Sequence, residues 1–373
     1  MSQTANTGLE DLVRNRRIII CCGSGGVGKT TTAAALGLHA AALGRRACVV
    51  TIDPARRLAN SLGVGELTNQ PVRIPGPGPG ELHAMMLDPK STFDDLISRY
   101  ADSNEQAEAI RNNRIYRNLT GTLSGTQEYM AMEKLHELVE EAHFDVIIVD
   151  TPPSRNALDF LDAPRRLTHF LDNRLFQALM MPTRAGLRFM SVAAQALLRT
   201  ISKVAGADIV QDAVTFFQAF EGMEKGFRDR ADRVRELLGD DGTAFILVAS
   251  PRRDSIDEAI HFAGKLREGE LHTSALIINR VQPRFATDAD LDHLSELVHS
   301  APGDTGALAA QVENLAGYVR TSDREDEAVQ DLLGRIGPAP VFRVPLLEGD
   351  VHDLAGLQRL ADSLFAPGNH PPR

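Results

Sequence analysis

The stretch GSGGVGKTTT, Gly23 to Thr32, follows the apolar run RRIIICC and leads into an alanine-rich segment. Gly23, Gly28, Lys29 and Thr30 satisfy the spacing G-x-x-x-x-G-K-[ST], with strand signals before it and helix signals after it. The chemistry this pattern can do is to grip phosphate. Backbone from Gly23 through Ser24, Gly25, Gly26 and Val27 to Gly28 can curl so that its N–H groups converge, and the helix that follows adds its positive end. Lys29 can reach the outer phosphates, the hydroxyl of Thr30 is suited to Mg²⁺, and Thr31 continues the cradle into the helix. The competing explanation is a glycine-rich turn that matches by chance, and the flanking strand and helix signals oppose it.

Two carboxylates stand where they could complete such a site. Asp150 ends the run FDVIIVD, and a strand-end carboxylate there can face Mg²⁺ and its waters. The alternative for Asp150 is an ordinary bond to a neighbouring loop. Asp53 ends ACVVTID and precedes PARRLANSLG. An Asp before Pro is also a good helix N-cap with proline at the first helical position. Both roles are compatible, because an N-cap at the carboxyl end of a strand also points into the crevice, where it could orient or deprotonate an attacking water.

These residues need a scaffold that delivers strand ends to one edge. Five short Val/Ile-rich runs read as strands buried on both faces: RRIIICC, RACVVTID, FDVIIVD, AFILVAS and ALIINRV, with PVFRVPL as a sixth. Helical patterns at Lys29 to Leu43, Gln127 to Ala142, Ser255 to Leu266 and Asp353 to Phe365 separate them. The alternation predicts an α/β fold, a doubly wound, mainly parallel sheet with ligands at the strands' carboxyl ends. PVRIPGPGPG, Pro71 to Gly80, is predicted to hold neither helix nor ladder. The core is predicted over 1–160 and 243–366, with an all-helical insertion over 161–242 and a tail at 367–373. Within the insertion Ile209, Ala213, Phe216, Phe220, Met223 and Phe227 form one helical stripe, which is either a groove for an apolar client or packed core.

Composition bounds what such a chain can do. Its 373 residues are 43% hydrophobic and 24% charged, ordinary for a globular protein, and the formal net charge of -10 opposes unspecific attraction to nucleic acid or anionic lipid. No window suggests a membrane span, and MSQTANTGLEDLVRNRR has no apolar h-region, so a cytoplasmic location is expected. Cys21, Cys22 and Cys48 all fall in strand runs and read as buried thiols rather than a disulfide or a metal site.

The chain resembles the family of arsenite-pump ATPases and tail-anchored-protein targeting ATPases, within the deviant P-loop group. The resemblance spans about Arg17 to Leu364. It rests on the phosphate loop, TIDPARRLANSLG, SGTQEYMAMEKLHELVEEAHFDVIIVDTPPS, LIINRV and VPLLEGDVHDLAGL, in that order. It implies ATP with Mg²⁺, Asp53 as the switch I aspartate that activates water, and Asp150 with Thr151 opening switch II. It further implies Asn279 at the adenine edge and Pro345 and Leu346 in the loop over the base. Relatives of this kind work as dimers whose nucleotide state opens or closes the subunits around a hydrophobic client or a membrane partner.

The departures shape the expectation. Where the family carries an intersubunit lysine, this chain has Ser24, and Pro251 is followed by Arg252. No Cys-x-x-Cys lies in the C-terminal third, and no cysteine lies in the insertion. The lost charge could be supplied by a lysine-bearing paralogue in a heterodimer, or by Arg252 or Arg155 within a homodimer. Two other readings stand beside the gated ATPase: an ATP-holding regulatory subunit, and a partitioning ATPase. The tail ADSLFAPGNHPPR offers no basic membrane helix for the latter.

Overall fold

The protein is described by a computed structural model over residues 8–53, 57–76, 78–114, 116–117, 126–141, 143–152, 212, 215–216, 219 and 223–366. All six runs read as strands are strands: β1 (Ile18–Cys22), β2 (Arg46–Thr51), β5 (Val146–Asp150), β6 (Thr243–Ala249), β7 (Thr273–Val281) and β8 (Val341–Pro345). With β3 (Val72–Ile74) and β4 (Glu81–Met86) they form one sheet in the order β3-β4-β2-β5-β1-β6-β7-β8. Every neighbouring pair is parallel except β3 with β4.

Burial on both faces explains why the strand runs are continuously apolar rather than alternating. Ile19 and Cys21 of β1, Val49 of β2 and Ile148 of β5 face one layer, where α1 (Leu9–Asn15), α2 (Lys29–Ala42), α3 (Arg57–Ser61) and α11 (Leu354–Leu364) pack. Ile18, Ile20, Val50 and Ile147 face the other. That second layer is made by α6 (Thr126–Glu141), α7 (Glu224–Gly239), α8 (Arg253–Glu268) and the end of α10 (Gly306–Ile336). The period of two along each strand thus divides the core into two halves, as a doubly wound sheet requires.

At the far edge one expectation needs correction and one strand went unread. The stretch Pro71 to Gly80 does contain a ladder: Val72–Ile74 pairs antiparallel with β4. Pro71 and Pro75 bracket it, and proline is tolerated at the ends of a short edge strand. The strand Glu81–Met86 had no β-branched signal, since ELHAMM is built of helix formers. Pairing with β2 from Arg46↔Glu81 to Thr51↔Met86 overrides that propensity.

Most of the stretch expected to form the insertion, 161–211, lies outside the described residues, as do Ile209, Ala213 and Phe220 of its stripe. Phe216, Met223 and Phe227 are buried against Tyr116, Tyr129 and Met130 and against α4 (Pro89–Tyr100) and α5 (Asn104–Asn112). Toward its C-terminus α7 sends Val234 and Leu238 into the second core layer. Helix α9 (Asp288–Ser300) and the first half of α10 complete the described chain between β7 and β8. Among the described residues no helix is long and apolar enough to cross a membrane.

Candidate functional site

The turn from β1 into α2 is held open by glycines with no substitute. A Cβ on Gly23 would lie 2.0 Å from the carbonyl oxygen of Val248 on β6, and one on Gly28, at φ 95°, would lie 2.2 Å from Asn279 Nδ2. Backbone of β6 and the side chain of Asn279 therefore clamp the two ends of the loop. Between them Gly25 and Gly26 are exposed, while Val27 is buried in the core.

Lys29 begins α2 and is almost wholly buried. Its Nζ donates to the carbonyl of Ser24 at 2.8 Å. Burial pushes the ammonium's pKa down, and the charge of Asp150 pulls it back up. Thr30 Oγ1 donates to Asp150 Oδ2 at 2.7 Å, and Thr51 Oγ1 donates to the same oxygen at 2.9 Å. Thr31 Oγ1 turns away and donates to the Gly28 carbonyl at 2.9 Å.

Asp150 is only 1% exposed, and its second oxygen, Oδ1, is buried with no hydrogen-bond partner. Burial holds this carboxyl above the usual carboxylate range, opposed by the hydroxyls of Thr30 and Thr51 and by Lys29. A buried carboxylate oxygen with no partner is costly unless something fills its place. The donor set beside it, a carboxylate and threonine hydroxyls, is the hard-oxygen chemistry that suits Mg²⁺, which takes one or two carboxylates and leaves the rest of its shell to phosphate and water. The site residues therefore fit that ion.

Asp53 follows β2 within the same crevice. Its N–H donates to Thr51 Oγ1 at 3.3 Å, and its carboxylate lies 3.8 Å from Arg57 on α3. The cap expected with Pro54 falls on 54–56, outside the described residues. Thr151 is buried and donates from Oγ1 to the Cys21 carbonyl at 2.8 Å. Cys21, Cys22 and Cys48 are free and buried, and burial pushes the thiols of Cys22 and Cys48 up to about 12, so they are inert core groups.

Asn279 sits on β7 directly beneath the loop: its Nδ2 donates to the Val27 carbonyl at 2.8 Å, and its Oδ1 accepts from Arg280 N–H at 2.9 Å. Pro345 ends β8 in register with Val281, and Leu346 N–H donates to the Val281 carbonyl at 2.8 Å. Leu346 is exposed and lines a shallow apolar recess of about 470 Å³ with Phe285 and Tyr318. Arg252 lies at the surface in an ion pair with Asp254 at 3.1 Å, and Arg155 is outside the described residues.

Sequence reasoning missed Thr51 and Ser255. Thr51 is the register partner of Asp150 across β2 and β5, a relation visible only once the strands are aligned. Ser255 receives the hydroxyl of Ser24 at 3.1 Å from the start of α8. Ser24 is itself buried and faces inward.

A parallel sheet that brings a phosphate loop to the turn between its β1 strand and the following helix, with a strand-end carboxylate from the adjacent strand, defines the P-loop α/β class. Within that class the chain belongs to the anion-transporting ATPase family, whose profile matches residues 16–296. It is 26% identical over 369 residues to a putative arsenical pump-driving ATPase 1 of Aquifex aeolicus, covering 95% of this chain and 80% of that protein. It is 25% identical over 384 residues to an ATPase ASNA1 homolog of Trypanosoma cruzi, with 96% and 94% covered. A protein of Malassezia globosa named ATPase GET3 is 23% identical over 353 residues, with 95% and 92% covered.

Proposed function

We propose that this chain is a Mg²⁺-dependent ATPase whose nucleotide cycle gates a dimer around a hydrophobic client or a membrane partner. The observation that carries the reading is the arrangement at Asp150: one oxygen held by Thr30 and Thr51, the other buried and unpartnered, beside a loop whose lysine is also buried. Nothing in a packed core calls for that arrangement, whereas a bound ion does. Thr30 and Asp150 would hold Mg²⁺, which supplies charge neutralisation on the phosphates.

The remaining work falls to the chain's own groups. Backbone N–H groups from Ser24 to Thr31 and the start of α2 receive the phosphates. Lys29 exchanges the Ser24 carbonyl for a phosphate oxygen, a stronger, charge-assisted partner. The carboxylate of Asp53, whose backbone N–H rests on the Thr51 hydroxyl that also holds Asp150, orients the water that attacks in line. Asn279 lies beside the loop where it can meet the base as well as the Val27 carbonyl, with Pro345 and Leu346 at the neighbouring strand end.

The test is ATP turnover by the purified chain beside its Asp53→Asn variant. The expected outcome is Mg²⁺-dependent phosphate release that falls roughly a hundredfold or more in the variant while ATP binding persists. Tight ATP binding without turnover in either protein overturns the enzyme reading. It would favour the regulatory-subunit reading, for which the inward-facing Ser24 is the specific support: no charge at that position is available to a second nucleotide.

A further inference from the structure

Ser24 and Ser255 are separated by 231 residues and meet in the interior. Ser24 Oγ donates to Ser255 Oγ at 3.1 Å, and the same Ser255 oxygen accepts the N–H of Ser250 at 3.0 Å. Both serines are buried. Ser255 is anchored in turn, because its N–H donates to Asp254 Oδ1 at 3.0 Å at the first turn of α8. The result is a chain of bonds from the end of β6, through α8, into the phosphate loop.

What this chain holds decides its significance. The carbonyl of Ser24 is the acceptor on which Lys29 Nζ rests, and the residues after Ser24 are Gly25 and Gly26, both exposed. A hypothetical Cβ on Gly26 meets nothing within 4 Å. Glycine loses more backbone freedom on ordering than any other residue. A loop of this composition will sample many shapes unless its stem is tied. Gly23 is fixed by close packing on Val248, and the far end is fixed by Asn279. Ser24 supplies the side-chain tie on the near half.

We propose that Ser255 is a positioning residue for nucleotide binding: through the Ser24 hydroxyl it holds the glycine loop in its phosphate-receiving shape before nucleotide arrives. Position 24 then works inward in this chain, as a latch, rather than outward across an interface. The inference rests on the ATP reading above and adds to it a residue from a different part of the chain. Pre-ordering the loop removes that ordering cost from the binding step, so the latch acts on affinity and leaves the chemical step alone. Ser255 bonds to Ser24, Ser250 and Asp254 rather than to the loop backbone or Asp150, and its effect is carried by Ser24.

A double-mutant cycle on the full chain tests this, with affinity for a non-hydrolysable ATP analogue and Mg²⁺ read by calorimetry. Ser255→Ala and Ser24→Ala are each expected to weaken binding about tenfold, the worth of one lost hydrogen bond, and the double variant no further. Ser255→Thr, which keeps the hydroxyl, is expected to restore affinity, and Ser255→Ala is expected to raise KM with kcat preserved. Single variants that bind as the unaltered chain does, or effects that multiply to roughly a hundredfold, overturn the latch. So does a lowered melting temperature with unchanged affinity, which marks a brace for the fold alone. If the unaltered chain itself binds no nucleotide, the ATP reading falls and the latch with it; if it binds and only the variants fail to differ, the latch alone falls.

Discussion

At the scale of single residues, Ser24 separates this chain from what its family resemblance implies. A lysine there would need an open path to solvent or to a partner, yet the side chain is 7% exposed and committed to Ser255. Ser24→Lys must therefore either bury an ammonium without a counter-charge or break the bond to Ser255 to escape. The expected outcome is weaker Mg²⁺–ATP binding, by about tenfold, with no gain in turnover for the chain alone, measured by calorimetry and phosphate release. A rise in turnover would show that the position still works outward. The same contrast explains what was readable in the sequence. The phosphate loop is contiguous, so its glycines, Lys29 and Thr30 announce themselves, and Asp150 is visible as a carboxylate ending an apolar run. Thr51 and Ser255 carry no such signal, because a hydroxyl acquires its role only from a partner 99 or 231 residues away.

Elements show where the apolar code works and where it fails. Central strands buried on both faces must be Val- and Ile-rich, so β1, β2, β5, β6 and β7 were legible, and the edge strand β8 was legible from its alternating buried Phe342 and Val344. The edge pair β3 and β4 was not, because ELHAMM gains its strand conformation from the β2 ladder rather than from its own residues. Helices α6 and α7 add a polar joint that no periodicity reveals. Arg230 on α7 pairs with Glu133 on α6 at 2.7 Å, Tyr129 donates its hydroxyl to the same carboxylate, and all three are buried. Burial raises the Glu133 pKa, and the Arg230 guanidinium and the Tyr129 hydroxyl oppose that rise. Arg230→Met leaves the carboxylate buried without its cation, an expected loss of about 3–5 kcal/mol in denaturant unfolding. The pH dependence has a definite sign. A carboxyl whose folded-state pKa is raised contributes stability that is complete below its unfolded value and is lost as pH rises through the folded value. Removing Arg230 raises that folded value further, so the variant is expected to regain stability as the pH is lowered from neutrality towards the ordinary carboxylate range. A variant as stable as the parent at neutral pH, or one that weakens on mild acidification before the global acid transition, would contradict the assignment.

Over the whole molecule, the sheet's carboxyl edge gathers the proposed machinery on one side, with the phosphate loop's Gly25 and Gly26 at the surface and Arg252 and Arg253 exposed close by in sequence to Ser255. A nucleotide held there presents its phosphates beside the exposed backbone of Gly25 and Gly26, a surface on which a second nucleotide-binding chain could close. The net charge of -10 works against that closure, since two like-charged copies repel each other until local contacts across the bound nucleotides offset the repulsion. Association is therefore expected to depend on nucleotide. Mass measured by light scattering should be that of one chain without nucleotide and should double with ATP and Mg²⁺. Asp53→Asn, which slows hydrolysis while keeping the cradle, should hold the doubled mass longest, because its site is slowest to reach the product state. If the homodimer does not form with ATP but a lysine-bearing paralogue brings the mass to the sum of the two chains, the partner is the paralogue and the inward-facing Ser24 belongs to the dependent half of the pair. A mass that stays at one chain under every nucleotide and with the paralogue present would remove dimer gating from the mechanism and leave a nucleotide-binding monomer.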